Sequence, residues 1–380
     1  MRLGVGAALV GGELLAGDVE VVDGSVAAVG VGAPTGSRIA APGFVDLQVN
    51  GYAGVDFSAP GEEGYARAGA ALLRDGVTAF QPTLVTAPVE EMIDSLSMVG
   101  EIEGGARVIG AHLEGPFLSP ERPGAHDSEA LLAPDLPTLG RLLDAGPVTQ
   151  MTLAPELPGA LDLIDTLLAR DVVVSCGHTE ADATAAHAAF DRGATAVTHI
   201  LNAMRRPAPR DPGIAYAALA RDDVFITLIA DGHHLAGDTV RTAARASGNR
   251  LVLISDAVAA AAAPDGDYTL GGKVPIRSAG GVVRAYAQAS PASILHADAT
   301  GDNDDAALAG STVTMLDAVR NLHAIGIPLA AALGGATEAP ARMARRPDLG
   351  RIEPGARADL VVLDDALGLD QVFLAGAAQR

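Results

Sequence analysis

Several apolar runs in this chain end on side chains that can bind or move charge: His112-Leu113-Glu114-Gly115, Cys176-Gly177-His178, Thr198-His199 and Ser255-Asp256. Two others end on amides or imidazoles, at Asp46-Leu47-Gln48-Val49-Asn50 and Asp231-Gly232-His233-His234. A carboxylate and imidazoles that converge and leave one position open suit catalytic zinc or a similar divalent ion. Alone, His178 or His199 reads as a hydrogen-bonded core histidine, and Glu114 as a capping or salt-bridged acid. Together, at the ends of neighbouring strands, they read as ligands. Asp256 makes a poor helix cap, because Ala257-Val258 begins no clear helix. His112 shares a strand face with Glu114 by the two-residue period and reads as support, not as a ligand. His187 and His323 fall in helical patterns and read as structural or solvated; His296 has no assigned role. Cys176 reads as a buried, inert thiol.

Such residues need a scaffold that brings them to one rim. Strand-like runs at 44–49, 77–81, 108–113, 148–153, 172–176, 195–199, 224–230 and 251–255 alternate with helical patterns such as 62–74, 157–170 and 180–191. Strands buried on both faces, mostly followed by helices, predict an α/β fold: a (β/α)₈ TIM-like barrel over 42–339 with its chemistry at the C-terminal strand ends. At the N-terminus, Gly11-Gly12 and Asp23-Gly24 separate short apolar runs, which is hairpin chemistry. With a similar stretch at 359–363 and 372–374, they predict a small β-sandwich domain built from both termini, 1–41 plus 340–380. An insertion at about 259–305 reads as hairpins over 267–284, then as a small, acidic, mobile loop over 287–305.

The composition, 49% hydrophobic and 19% charged over 380 residues, fits a soluble enzyme with a large core. A net charge of −21 disfavours nucleic acid and anionic membranes as partners. An anionic ligand therefore needs a locally basic pocket, screened from the rest over about 10 Å. The sole lysine, Lys273, sits by a Gly-Gly turn, which leaves little room for Schiff-base chemistry or a lysine-carbamate metal bridge. There is no P-loop and no Gly-x-Ser-x-Gly elbow. With one cysteine, no apolar span of membrane length and no signal-peptide pattern, a cytoplasmic protein is expected.

The rim stretches resemble the N-acetylglucosamine-6-phosphate deacetylase family of the amidohydrolase superfamily. The most specific are His112-Leu113-Glu114-Gly115-Pro116-Phe117, Gly124-Ala125-His126, Gly177-His178-Thr179 and Thr198-His199-Ile200-Leu201-Asn202-Ala203-Met204, joined by Asp231-Gly232-His233-His234 and Leu308-Ala309-Gly310-Ser311. They occur in the family's order, and the likeness covers nearly the whole chain. The resemblance implies deacetylation of N-acetylglucosamine 6-phosphate, with Glu114, His178 and His199 binding metal and Asp256 as general acid/base. It further implies that Asn202, the Ala203 backbone and Arg210 hold the sugar phosphate. Ala125, His126 and His234, with Asp231 in the same motif, would contact the sugar and acetyl groups, and Leu308, Ala309 and Gly310 would line the pocket. It also implies a homodimer, with an arginine or histidine crossing the interface toward the phosphate. Many superfamily relatives carry His-x-His on the first strand and bind two metals; here Gln48 and Asn50 stand there, and amides are poor ligands. The expectation is therefore one divalent ion per subunit, zinc with iron, manganese or cobalt as alternatives, and Gln48 and Asn50 bonded to water or ligand. Preference for the gluco over the galacto epimer stays open.

Overall fold

The computed structural model describes residues 1–33, 36–61, 63–286 and 307–379. Eight parallel strands carry the site: β1 (Phe44–Val49), β2 (Val77–Val85), β3 (Ala111–Glu114), β4 (Val148–Leu153), β5 (Val173–Cys176), β6 (Ala196–Val197), β7 (Phe225–Leu228) and β8 (Leu251–Leu253). They pair in chain order from β1 to β8. The ring then closes through backbone bonds, Asp256 N–H to the Gln48 carbonyl at 3.0 Å and Asn50 N–H to the Ala257 carbonyl at 2.7 Å. Asp46 braces the same seam, its Oδ1 accepting from Ser255 N at 3.2 Å and Gln48 N at 3.3 Å. Burial pushes that carboxyl up to about 7.

Strands such as Phe44–Val49 and Val77–Val85 are buried at every position, because helices cover the outside and side chains fill the inside. A helix follows each strand, from Gly64–Arg74 after β1 to Met315–Ala324 after β8, and two more, Leu329–Ala336 and Glu338–Met343, come after that. Local chemistry sets several helix starts: Asp135, Asp182 and Thr314 each accept a hydrogen bond from the N–H three residues on. Val45, Leu47, Val252 and Ile254 at the β1–β8 seam belong to one apolar cluster with Ala339, Ala341 and Met343 of the last helix.

The chain ends pair as expected, Ile39–Pro42 running antiparallel to Leu360–Leu363 within a six-stranded sheet. Gly11-Gly12 and Asp23-Gly24 turn the hairpins, each with positive φ as such two-residue turns require. Val19, Val21 and Val26 from the Asp18–Val22/Ser25–Val31 hairpin share a core with Ala8, Leu360 and Val362 of the larger sheet. After β8, Gly266–Leu270, Val274–Ala279 and Val282–Ala285 form a three-stranded meander, which matches the hairpin reading of 267–284. The segment read as a mobile loop, 287–305, and His296 within it, lie outside the described residues; from 307 the chain runs beside the meander. Among the described residues, no helix is long and apolar enough to cross a membrane.

Candidate metal centre and active site

Glu114 ends β3; His178 and His199 lie just past β5 and β6. All three are buried, and their ligand atoms lie within 4.8 Å of one another. Glu114 Oε1 is 2.9 Å from His199 Nε2 and 3.2 Å from His178 Nε2, and the two ring nitrogens are 3.1 Å apart. His178 Nδ1 must donate its proton to the Arg122 carbonyl, 3.0 Å away, since a carbonyl only accepts. In the neutral ring that leaves the Nε2 lone pair facing Glu114 and His199, the orientation a metal ligand needs. These spacings sit close to the roughly 3.3 Å expected between donors around a tetrahedral ion with bonds near 2.0 Å. The residues fit a divalent ion.

Placing them there strains the backbone. His178, His199, Ala203 and Asp256 have φ of +47°, +32°, +45° and +50°, a region non-glycine residues rarely enter. Specific bonds hold them: Ser119 N–H to the His178 carbonyl at 2.9 Å, His199 N–H to Thr227 Oγ1 at 2.7 Å, and Ser311 N–H to the Asp256 carbonyl at 2.9 Å. Beneath the ligands, His112 Nε2 meets Thr152 Oγ1 at 2.7 Å and Nδ1 meets Thr83 Oγ1 at 3.3 Å, so His112 braces neighbouring strands. Burial holds His112 down to about 4, so it is neutral.

Across from the ligands, Asp256 Oδ1 accepts from Asn50 Nδ2 at 2.8 Å and Gln48 Nε2 at 3.1 Å, and Gln48 Nε2 also reaches Glu114 Oε1 at 3.1 Å. Gln48 and Asn50, expected to bond water or ligand, thus also hold the carboxylates, and Asn50 lines the cavity. An amide N–H can bridge two carboxylates, which a metal-binding imidazole at the same place could not do while ligated. Burial, with the negative charge of Glu114 nearby, pushes Asp256 up to about 6. Burial also opposes the Glu114 charge, but the His178 and His199 rings, when they carry a proton toward it, outweigh burial and hold that carboxyl well below the usual range.

His126 has the opposite tautomer to His178. Thr86 N–H donates to its Nδ1 at 3.2 Å, so the proton sits on Nε2, 3.9 Å from Glu114 Oε2. Burial, reinforced by His178, lowers His126 to about 3, so the ring is a neutral donor. Asp231 does not line the cavity. It grips His234 instead, Oδ2 accepting from Nδ1 at 2.7 Å and Oδ1 from the backbone N–H at 3.0 Å. Burial would raise Asp231, but the His234 bond brings it to about 2.

These groups share a cavity of about 350 Å³, also lined by Ala125, Asn202, Ala203, Leu308 and Gly310. Besides Asp231 and Gln48, two more expected residues fall outside it. Ala309 is buried in the apolar cluster of the meander, its N–H bonded to the Val283 carbonyl. Arg210 is exposed, because paired backbone bonds between Ala208 and Asp211 close a tight turn that carries it outward. The arginine that does line the cavity, Arg122, was missed; the signal was its place two residues before Gly124 in a stretch already singled out. Cys176 is buried with its thiol pushed well up, as expected of an inert cysteine.

A barrel with carboxylate and imidazole ligands at its C-terminal rim and a buried aspartate beside them defines a class of metal-dependent hydrolases. The family model described as "Amidohydrolase family" matches residues 39–378. An N-acetylglucosamine-6-phosphate deacetylase from Danio rerio is 38% identical over 90% of this chain and 84% of its own length. An N-acetylgalactosamine-6-phosphate deacetylase from Escherichia coli O157:H7 is 34% identical, over 90% and 87%. A mutant N-acetyl-D-glucosamine-6-phosphate deacetylase from Mycobacterium smegmatis, solved in complex with N-acetyl-D-glucosamine-6-phosphate, superposes with a TM-score of 0.88 at 38% identity, covering 100% of this chain and 99% of that one. The chain belongs to the amidohydrolase family, in the branch formed by these amino-sugar-phosphate deacetylases.

Proposed function

We propose that this protein hydrolyses the acetamide of N-acetylglucosamine 6-phosphate to glucosamine 6-phosphate and acetate, in amino-sugar catabolism. The observation that carries the reading is the convergence of Glu114 with the inward Nε2 atoms of His178 and His199, with Asp256 joined to Glu114 through one Gln48 amide. The family relatives supply the substrate class.

A single divalent ion held by Glu114, His178 and His199 would acidify water and polarise the amide carbonyl. Asp256 takes the proton of the attacking water and returns it to the leaving nitrogen, which otherwise would depart as an amide anion. A carboxyl raised to about 6 suits a group that must both accept and give back a proton near neutrality. His126 donates its Nε2–H to the carbonyl oxygen as negative charge develops there. Asp231 fixes the His234 ring so that Nε2 can meet the sugar or its phosphate, beside Asn202 and the Ala203 backbone. Gln48 and Asn50 hold the acid in place, and the site has one ion instead of two. Zinc is the favoured metal, since the N/O donor set suits it. The reading carries with it a cytoplasmic homodimer, in which Arg210, facing out of its own chain, serves a second copy. It also carries a division of the chain into a β unit, 1–41 with 340–380, around a barrel unit, 42–339.

The test is acetate release by metal-loaded protein from N-acetylglucosamine 6-phosphate, its galacto epimer, unphosphorylated N-acetylglucosamine and an N-acetyl amino acid, each with and without chelator. The phosphorylated gluco sugar should be the best substrate by kcat/KM, with activity abolished by chelator and restored by metal. A better rate on the free sugar or on the amino acid would end the reading.

A further inference from the structure

The molecule carries a net charge of −21, and its cavity already holds Glu114, Asp256 and Glu121. An anionic substrate must meet a cation there, and among the described lining residues Arg122 is the one arginine or lysine. We propose that Arg122 grips the phosphate of the substrate, an inference that rests on the sugar-phosphate reading above.

Three features equip it for that. First, Arg122 is anchored at its backbone: its carbonyl accepts the Nδ1 proton of His178 at 3.0 Å, so the residue sits at a fixed place relative to the metal ligands. Second, the side chain is half-buried and only partly engaged. Nε donates to Glu180 Oε2, while Nη1 and Nη2 have no hydrogen-bond partner among the described residues. A guanidinium with two free donors is matched to bidentate phosphate binding. Third, Glu180 has a second cation. Arg205 Nη1 lies 3.4 Å from Glu180 Oε1, and Arg205 is itself held by Asp211, with Nε and Nη2 at 2.9 and 2.6 Å from Oδ2. Phosphate can therefore replace Glu180 on Arg122 without leaving that carboxylate unpaired. Arg122 works as an exchangeable partner, held in place by Glu180 until an anion arrives.

The test compares metal-loaded wild type, R122A, R122K and E180Q in two ways: KM and kcat for N-acetylglucosamine 6-phosphate, and inhibition by glucosamine 6-phosphate relative to glucosamine. Metal content is measured on each preparation. In R122A the KM should rise by about tenfold to a hundredfold, the range for losing a charged hydrogen-bonding pair, with the greater part of the loss in KM and not in kcat. The advantage of glucosamine 6-phosphate over glucosamine should shrink by a similar factor, and metal content should be retained. R122K should recover part of the loss, and E180Q should bind glucosamine 6-phosphate at least as tightly as wild type. An R122A protein that keeps the wild-type preference for the phosphorylated inhibitor overturns the assignment, as does a loss confined to kcat or accompanied by loss of metal. A wild type with no preference for the phosphorylated sugar or inhibitor sinks the parent reading instead, so the two failures are distinct.

Discussion

Gly124, at the cavity, and Gly11, in the first hairpin of the six-stranded sheet, share one backbone conformation, with φ of +57° and +56°. Their surroundings are opposite. A Cβ on Gly11 would meet nothing within 4 Å, whereas one on Gly124 would lie 2.9 Å from Cε1 of the His178 ring. At the N-terminal hairpins the left-handed pairs Gly11-Gly12 and Asp23-Gly24 sit in the two-residue turns, whose geometry itself requires them. At the barrel rim the same conformation extends to His178, His199, Ala203 and Asp256, held there by bonds from residues distant in the chain. The difference separates structure set by local turn chemistry from structure imposed by the rest of the fold, and the second kind is where the chemistry sits.

Substitutions can break or sharpen that contrast. Asp256→Asn keeps the shape and the amide contacts but removes the base, so kcat should fall by about 10²–10⁴ with metal content intact. Near-normal turnover would release Asp256 from the mechanism. In the wild type, kcat should rise with pH through an acid limb as Asp256 loses its proton. Its raised value of about 6 sets the upper end of that limb, since a bound cation would draw it lower. A limb above 7 in the metal-loaded enzyme would point to another group. Gly124→Ala should displace His178 and weaken metal affinity by about tenfold or more, measured by competition with a chromophoric chelator. Wild-type affinity there would mean that the loop yields and the ring does not. The smallest effect belongs to Gly11→Ala: about 1 kcal/mol of stability for the left-handed backbone, seen as a drop of a few degrees or less in Tm, with kcat and metal affinity unchanged. A loss of metal in that variant would erase the distinction between the two regions.

The barrel was readable because short strand-like runs such as Phe44–Val49 and Val148–Leu153 alternate with helical patterns along the chain, and both match their expected limits. The hairpins were readable from Gly-Gly and Asp-Gly. Limits drifted where the fold overrides propensity. β6 shrinks to Ala196–Val197 because His199 turns out of the extended region, and β2 runs on through Pro82 to Val85, further than the expected end at 81. The ligand set was visible because charged groups ending apolar runs are costly without a purpose. The partners of Gln48 and Asn50 were not, since an amide side chain carries no mark of which carboxylate it will face across more than 200 positions. The placement of Arg122 and Arg210 was hidden for a related reason: a pair of backbone bonds in a turn carries Arg210 outward while Arg122 lines the cavity, and residue type alone is silent on that.

The closing seam between β8 and β1 has a consequence for assembly. Glu114, His178 and His199 lie within 85 positions of one another, on strands that neighbour each other in sequence order. Asp256 meets its two amide holders only across separations of 206 and 208 positions, through the last join of the ring. A chain halted before that join could gather all three ligands yet lack its proton carrier. The three candidate ligands thus need only neighbouring strands, whereas the place of the aspartate exists only in a molecule whose ring is complete.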